Sequence, residues 1–313
     1  MGSFFHAIHV FWDHLSAVKW EFLMLALGLH AVRLFLRSIA WQAILKAAYP
    51  EERLPLRTVL GAYTAGVGIN SLAPARAGDA VKLYLLKHRM KDGSYTTLTP
   101  TLVAETLFDF FVAGGLILWA LASGVLPTHE LYSRLPSVDW GFFVKHSHET
   151  EIGLAALAAA VAVGGLIFLE HGREAREKIG RGFAIMRDPW RLARAVILPQ
   201  ALSWGFRLAV LYYFLIAFGV NATLHNALLA LVVESLATLF PATPGGAGTK
   251  QGLIVFMFRG EAISSSLLLA FSVGMNIAVV VCNLIFGAIA TYSLARTFSW
   301  KALRAKHVAD GPE

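Results

Sequence analysis

Cysteine is almost absent from this sequence: Cys282 is the single one in 313 residues. No intramolecular disulfide can form, and the redox compartment is unreadable. Charge is scarce too. Charged residues make up 15% of the chain, where a soluble domain carries about 25%; a water-facing surface needs that charge and a lipid-facing one does not. A basic n-region is missing from Met1 to Val18, so no cleavable signal peptide is expected. There is no Walker loop, no Gly-x-Ser-x-Gly elbow and no His-Glu-x-x-His pair, which leaves ATP drive and hydrolysis without support. His6 with His9, or His146 with His148, lacks a Cys or carboxylate to complete a ligand set. Neither a metal nor another cofactor is expected.

Hydrophobic residues supply what is missing. They form 57% of the chain, and the mean hydropathy is +0.60. Ile152 to Leu169 holds no charged or strongly polar side chain, long enough to cross about 30 Å of hydrocarbon with slight tilt. Further apolar segments lie at 20–45, 58–72, 79–90, 98–123, 195–219, 226–240, 249–258 and 263–296. The fold class is therefore all-α, a polytopic membrane protein. Residues 1–19 read as an interfacial amphipathic helix, with Phe4, Phe5, Ile8, Phe11, Trp12 and Leu15 on its apolar side. Residues 20–296 form the transmembrane domain, and 297–313 a basic tail.

The net charge of +7 does not imply nucleic acid, because the positive residues fall between apolar spans. Lys46, Arg53 and Arg57 make one basic loop; Lys82, Lys87, Arg89 and Lys91 another; Arg173 to Arg194 a third. The positive-inside rule places these and the C-terminus in the cytoplasm, and the 127–151 loop outside, giving a multi-pass protein of the cell membrane. Both flanks of 58–90 are basic, so that stretch must return to the side it entered. Its arms are also too short to span. The same holds for 226–258, broken by Pro241, Pro244, Gly245, Gly246 and Gly248. Both read as re-entrant helical hairpins, the first opening inward and the second outward. Their tips share Pro-x-x-Ala-Gly, at Pro74 to Gly78 and Pro244 to Gly248. An inverted repeat broken at matching places points to a transport site near the midplane.

At these residues the chain resembles the flippase-like integral membrane family that forms the N-terminal part of lysyl-phosphatidylglycerol synthases and also occurs free-standing. The family's Asn followed by Pro-Gly-Arg-x-Gly-Glu and a basic residue is similar to Asn70, Pro74, Arg76, Gly78, Asp79 and Lys82. Its Pro-x-Thr-Pro-Gly-Gly-x-Gly-x-x-Glu resembles Pro241, Thr243, Pro244, Gly245, Gly246, Gly248 and Gln251. Arg37 with Trp41, Glu105 with Asp109, and Trp204 with Arg207 resemble three further family pairs. The likeness runs over roughly 20–296. Asp79 stands where Glu is usual, Lys82 where Arg is usual, and Gln251 in place of the second Glu; the last removes an ionisable group through which protons would couple. The chain stops shortly after Ala295, which leaves no room for an aminoacyl-transferase domain, so the resemblance implies a transporter rather than a synthase.

Charges inside a membrane cost at least about 2.5–3.5 kcal/mol each at mid-depth and want a partner or a cavity. Arg33 and Arg37 share one face of their helix, and Glu105 and Asp109 share one face of theirs; an ion-pair ladder is expected between them. Arg207 and Glu234 form a further candidate pair. At the first tip, Arg76 and free backbone N–H groups are expected to hold a phosphate, with Asn70, Asp79 and Lys82 beside it. At the second tip the candidates are Gly245, Gly246, Lys250 and Gln251. Asn276 and Asn283 are expected to hydrogen-bond between helices. The reading is a lipid flippase whose partners are membrane lipids bound through an anionic headgroup, a phospholipid or a polyprenyl-phosphate-linked one. Homo-oligomerisation is left open. The alternatives are an integral membrane enzyme, with Asp79 as acid or base, and an accessory scaffold for a lipid-linked substrate.

Overall fold

The computed structural model of the chain describes residues 17–73, 76–123, 172–239, 248–258 and 263–296. Most of the expected interfacial helix, the 127–151 loop, the Ile152–Leu169 span, Gly245, Gly246 and the basic tail lie outside them. Among the described residues the regular structure is entirely helical, without strands. We number the helices α1 (Trp20–Ala48), α2 (Leu56–Leu72), α3 (Ala77–Lys87), α4 (Tyr95–Ala122), α5 (Gly172–Gly182), α6 (Pro189–Ala217), α7 (Leu224–Leu239), α8 (Thr249–Met257) and α9 (Ser265–Arg296). Four of them, α1, α4, α6 and α9, are long and apolar enough to cross a bilayer. This is a membrane protein with several apolar helices.

Proline and small polar residues punctuate the helices. Pro55, extended at φ −66° and ψ 143°, opens α2, and extended Ala73 closes it immediately before Pro74, as the residue preceding a proline avoids helical backbone. Asp188 caps α6 by accepting from the Arg191 N–H at 3.0 Å, with Pro189 in the first turn, where a missing N–H costs nothing. Pro199 follows deeper in α6, and the turn before it, Ala193–Ile197, widens to π geometry. That widening relieves the clash between the ring and the Ala195 carbonyl. Thr223 caps α7 through the Asn226 N–H at 3.1 Å.

Residues 172–182 correct one expectation. Their basic composition reads as a loop, but they form α5, which packs on α4 and α1 with Gly182 against Pro100.

The short helices α2 and α3 pack against the long ones. α2 has 17 residues, about 26 Å of helix, and α3 has 11, about 16 Å; neither reaches across about 30 Å of hydrocarbon. α2 packs on α3 and on α9, while α1 lies along α6. The two ends of the α2–α3 hairpin meet: the Glu52 carboxylate accepts from the N–H groups of Lys91 at 2.7 Å and Asp92 at 3.0 Å, and Tyr49 Oη donates to the Ser94 carbonyl at 3.2 Å.

Each hairpin has its own apolar core. Trp41, Leu45, Tyr63, Leu86 and Leu98 surround the first; Phe214, Val232, Val233, Phe258 and Phe271 surround the second.

Candidate functional site

Arg37 of α1 is the centre of a buried polar knot. Its Nε donates to Tyr63 Oη at 2.6 Å, and its Nη1 and Nη2 grip Asp109 at 2.8 and 2.6 Å. Nη2 also donates to Glu105, whose carboxylate accepts from Tyr63 Oη at 3.3 Å. Trp204 of α6 donates from its indole to Asp109 at 2.8 Å, and Gln200 donates to the Glu105 carbonyl at 3.1 Å. One guanidinium fork thus ties α1, α2, α4 and, through Asp109, α6, a bidentate geometry available only to arginine.

The expected ladder does not form. Arg37 takes both carboxylates, and Arg33, one turn away, makes no ion pair or hydrogen bond among the described residues. The reason is geometric. Spacing of four residues fixes a shared face but not the height at which two crossing helices meet, and here α4 presents both acids to one level of α1.

A second cluster sits at the first hairpin. Asp79 holds Arg76 Nε at 2.9 Å and Lys82 Nζ at 2.9 Å, and accepts from Asn70 Nδ2 at 3.2 Å. Asn70 Oδ1 in turn accepts the Gly78 N–H at 2.7 Å, and the Asp79 N–H goes to the Arg76 carbonyl at 2.9 Å. Two N–H groups expected to be free at the start of α3 are therefore already engaged. Lys82 is buried, its ammonium 4.2 Å from the centre of the Tyr63 ring. Arg76 has φ 57°, the one described non-glycine residue with positive φ, a conformation that costs an L residue about 1–2 kcal/mol.

At the second hairpin, Glu234 pairs with Lys250 at 2.9 Å and with Arg207 at 3.6 Å, so the expected Arg207–Glu234 pair gains a third member. Arg207 also lies over the Trp204 ring, 4.8 Å from its centre. Gln251 accepts the Gly248 N–H at 2.6 Å and caps α8.

Members of all three clusters face one cavity of about 410 Å³. Arg33, Arg37, Arg76, Lys82 and Arg207 line it, and Asp109 is the one carboxylate among its described lining residues. Arg76 is the most exposed, its side chain 49% accessible against 13% for Arg207 and 4% for Lys82. On one wall His30 Nε2 meets Asn283 Oδ1 at 2.8 Å, and Asn283 donates to Ser71 Oγ at 3.1 Å. Beyond that wall, between α1 and α9, runs an apolar furrow of about 660 Å³ lined by Leu23, Met24, Leu27, Ile277, Val281 and Ile285.

Sequence reasoning missed Tyr63 as a member of the knot and His30 as the partner of Asn283. A hydroxyl-bearing aromatic in the otherwise small-residue stretch Gly61 to Gly68 is the signal that marks Tyr63.

A family described as lysylphosphatidylglycerol synthase TM region matches residues 4–287. A UPF0104 membrane protein of Pyrococcus horikoshii is 21% identical over 288 residues, covering 84% of this chain and 81% of that protein. Another UPF0104 membrane protein, from Methanocaldococcus jannaschii, is 22% identical over 239 residues, covering 73% of this chain and 94% of that one. No solved structure matches. The chain belongs to the lysylphosphatidylglycerol synthase transmembrane-region family.

Proposed function

We propose that this protein is a lipid transporter of the flippase type, which takes an anionic headgroup into the cation-lined cavity and passes the lipid across the cell membrane. One observation carries the reading: five Arg and Lys side chains face a single cavity that offers one carboxylate among its described lining residues. Intramembrane charges are expensive and mark substrate paths. A scaffold has no use for such a cavity. An enzyme would need an available acid or base, and Asp79 is held by Arg76, Lys82 and Asn70 together.

Both hairpins are re-entrant in this reading, with the basic loops and the C-terminus cytoplasmic. The contact between Glu52 and the Lys91–Asp92 backbone supports a return of the first hairpin to the side it entered. Single cysteines at Arg53 and Arg89, placed in a Cys282→Ser background, should both label from the cytoplasmic side of sealed vesicles. Labelling from opposite sides would remove the re-entrant hairpin and the inverted repeat with it.

Arg76 serves as the outermost cation of the cavity. Arg76→Ala should lose most of the movement of headgroup-labelled anionic lipid in proteoliposomes, and Arg76→Lys, which keeps the charge without the fork, should lose part of it. Arg76→Gly separates binding from folding. Glycine relieves the left-handed backbone, so this variant should be more heat-stable than Arg76→Ala and equally poor at transport. Lys250→Ala should be milder. Parental transport by both Arg76→Ala and Arg76→Gly would refute the role.

A further inference from the structure

The charges around the cavity do not balance. Arg37 answers Glu105 and Asp109; Arg76 and Lys82 share Asp79; Arg207 and Lys250 share Glu234. Among the described residues Arg33 has no carboxylate partner. Among the described residues, six cations meet four carboxylates, a surplus of two positive charges. The surplus is not spread evenly. Arg33 and Arg207 line the same cavity, and the carboxylate that answers Arg207, Glu234, stands at 3.6 Å while Lys250 holds that same group at 2.9 Å.

From this we infer that the cavity is built for a doubly charged phosphate, a monoester or diphosphate rather than a phosphodiester, seated between Arg33 and Arg207. The inference rests on the transporter reading and narrows its substrate class. Two guanidinium groups on one cavity repel when the carboxylates near them, Asp109 and Glu234, are already gripped by Arg37 and Lys250; a phosphate placed there receives charge-assisted hydrogen bonds from both. A phosphodiester carries one negative charge and leaves one cation unanswered. A monoester carries between about 1.5 and 2 negative charges near neutral pH, its second ionisation lying near pH 6. It closes the balance.

The test is thermal unfolding of the full chain in mild detergent at pH 7.5 and pH 5. The additives are phosphatidic acid as the monoester, phosphatidylglycerol as the diester, phosphatidylcholine as the uncharged reference, and inorganic phosphate. Phosphatidic acid should bind about tenfold more tightly than phosphatidylglycerol at pH 7.5, the worth of one further charged hydrogen bond. That preference should shrink at pH 5, where the monoester loses its second charge. Arg33→Gln should erase the preference while keeping a response to phosphatidylglycerol, and should raise the melting temperature of the lipid-free protein by removing an unanswered charge. Arg207→Gln should erase it as well.

Equal binding of monoester and diester by the parent protein would overturn the dianion seat and leave the transporter reading standing. Equal stabilisation by phosphatidylcholine and both anionic lipids would sink the transporter reading itself. A full shift with inorganic phosphate alone would uphold the seat and assign it to a soluble anion. Retention of the preference by both glutamine variants would place the seat elsewhere and overturn the inference.

Discussion

Arg37→Leu should lower folding stability by about 3–5 kcal/mol, the usual cost of removing one side of a buried ion pair, and the knot makes the upper end the expected one. The change leaves two carboxylates, Glu105 and Asp109, facing each other without their shared cation, and strips a hydrogen-bond partner from Tyr63. Removing an acid has the opposite arithmetic. Asp109→Asn leaves Arg37 with Glu105, one charge against one, and keeps an oxygen to accept from Trp204. It should cost about 1.5–3 kcal/mol, the value of the charged hydrogen bond from Arg37 Nη2 that it loses, and so less than Arg37→Leu. The double change of Arg37→Leu with Asp109→Leu should stay below the parent, because Glu105 remains buried without a cation, with only Tyr63 Oη donating to it. Adding Glu105→Gln to it should recover stability. Melting temperatures of these proteins in one detergent decide the matter, and strict additivity across the set would show that the side chains do not act together.

Gly78→Ala should be nearly as damaging for a different reason. A methyl group there would stand 1.9 Å from the Gly66 carbonyl oxygen and 2.8 Å from Asn70 Oδ1. Neither can withdraw, since one is backbone in α2 and the other already binds the Gly78 N–H. The arms of the hairpin must separate, at a cost of about 3 kcal/mol or more, the upper range for overpacking. Gly66→Ala meets Lys82 Cγ at 2.3 Å and the Gly78 carbonyl at 2.6 Å and should be close behind. Gly205→Ala is the control. Nothing lies within 4 Å of its added carbon, and in a helix interior the exchange should stabilise by roughly 0.5–1 kcal/mol. If Gly78→Ala and Gly205→Ala melt alike, the two arms do not approach as closely as this.

The long helices were legible from the length of their apolar runs: 20–45, 98–123, 195–219 and 263–296 fall on α1, α4, α6 and α9, although the basic stretch before 195 hid the first turns of α6, which start at Pro189. The shortness of α2, α3, α7 and α8 was legible by the same means. Side-chain pairing was only half legible. Opposite charges at matched spacing located Arg37 beside Glu105 and Asp109, but nothing in one dimension says that α4 would bring both acids to one arginine and leave Arg33 facing a cavity. Lys250 illustrates the same gap. Its place at a tip suggested a ligand contact, while the fold turns it to Glu234 on α7. α5 was hidden because a run of basic residues reads as a loop under the sidedness rule whether or not it is helical, so charge drowned the periodicity.

The glycine contacts of α2 have a consequence for how force passes through the molecule. On one side Gly66 meets Gly78 of α3; on the other, a carbon added to Gly68 would lie 3.0 Å from the Asn283 carbonyl and 3.3 Å from Gly287 of α9. Where side chains mediate a contact, rotamers yield and a displacement fades within a residue or two. Here backbone approaches backbone on both faces, with the buried Lys82 stem as the one side chain beside Gly66. The three helices are therefore expected to shift together, so that a displacement of the hairpin tip at Arg76 would carry with it the stretch of α9 that holds Asn283 against His30.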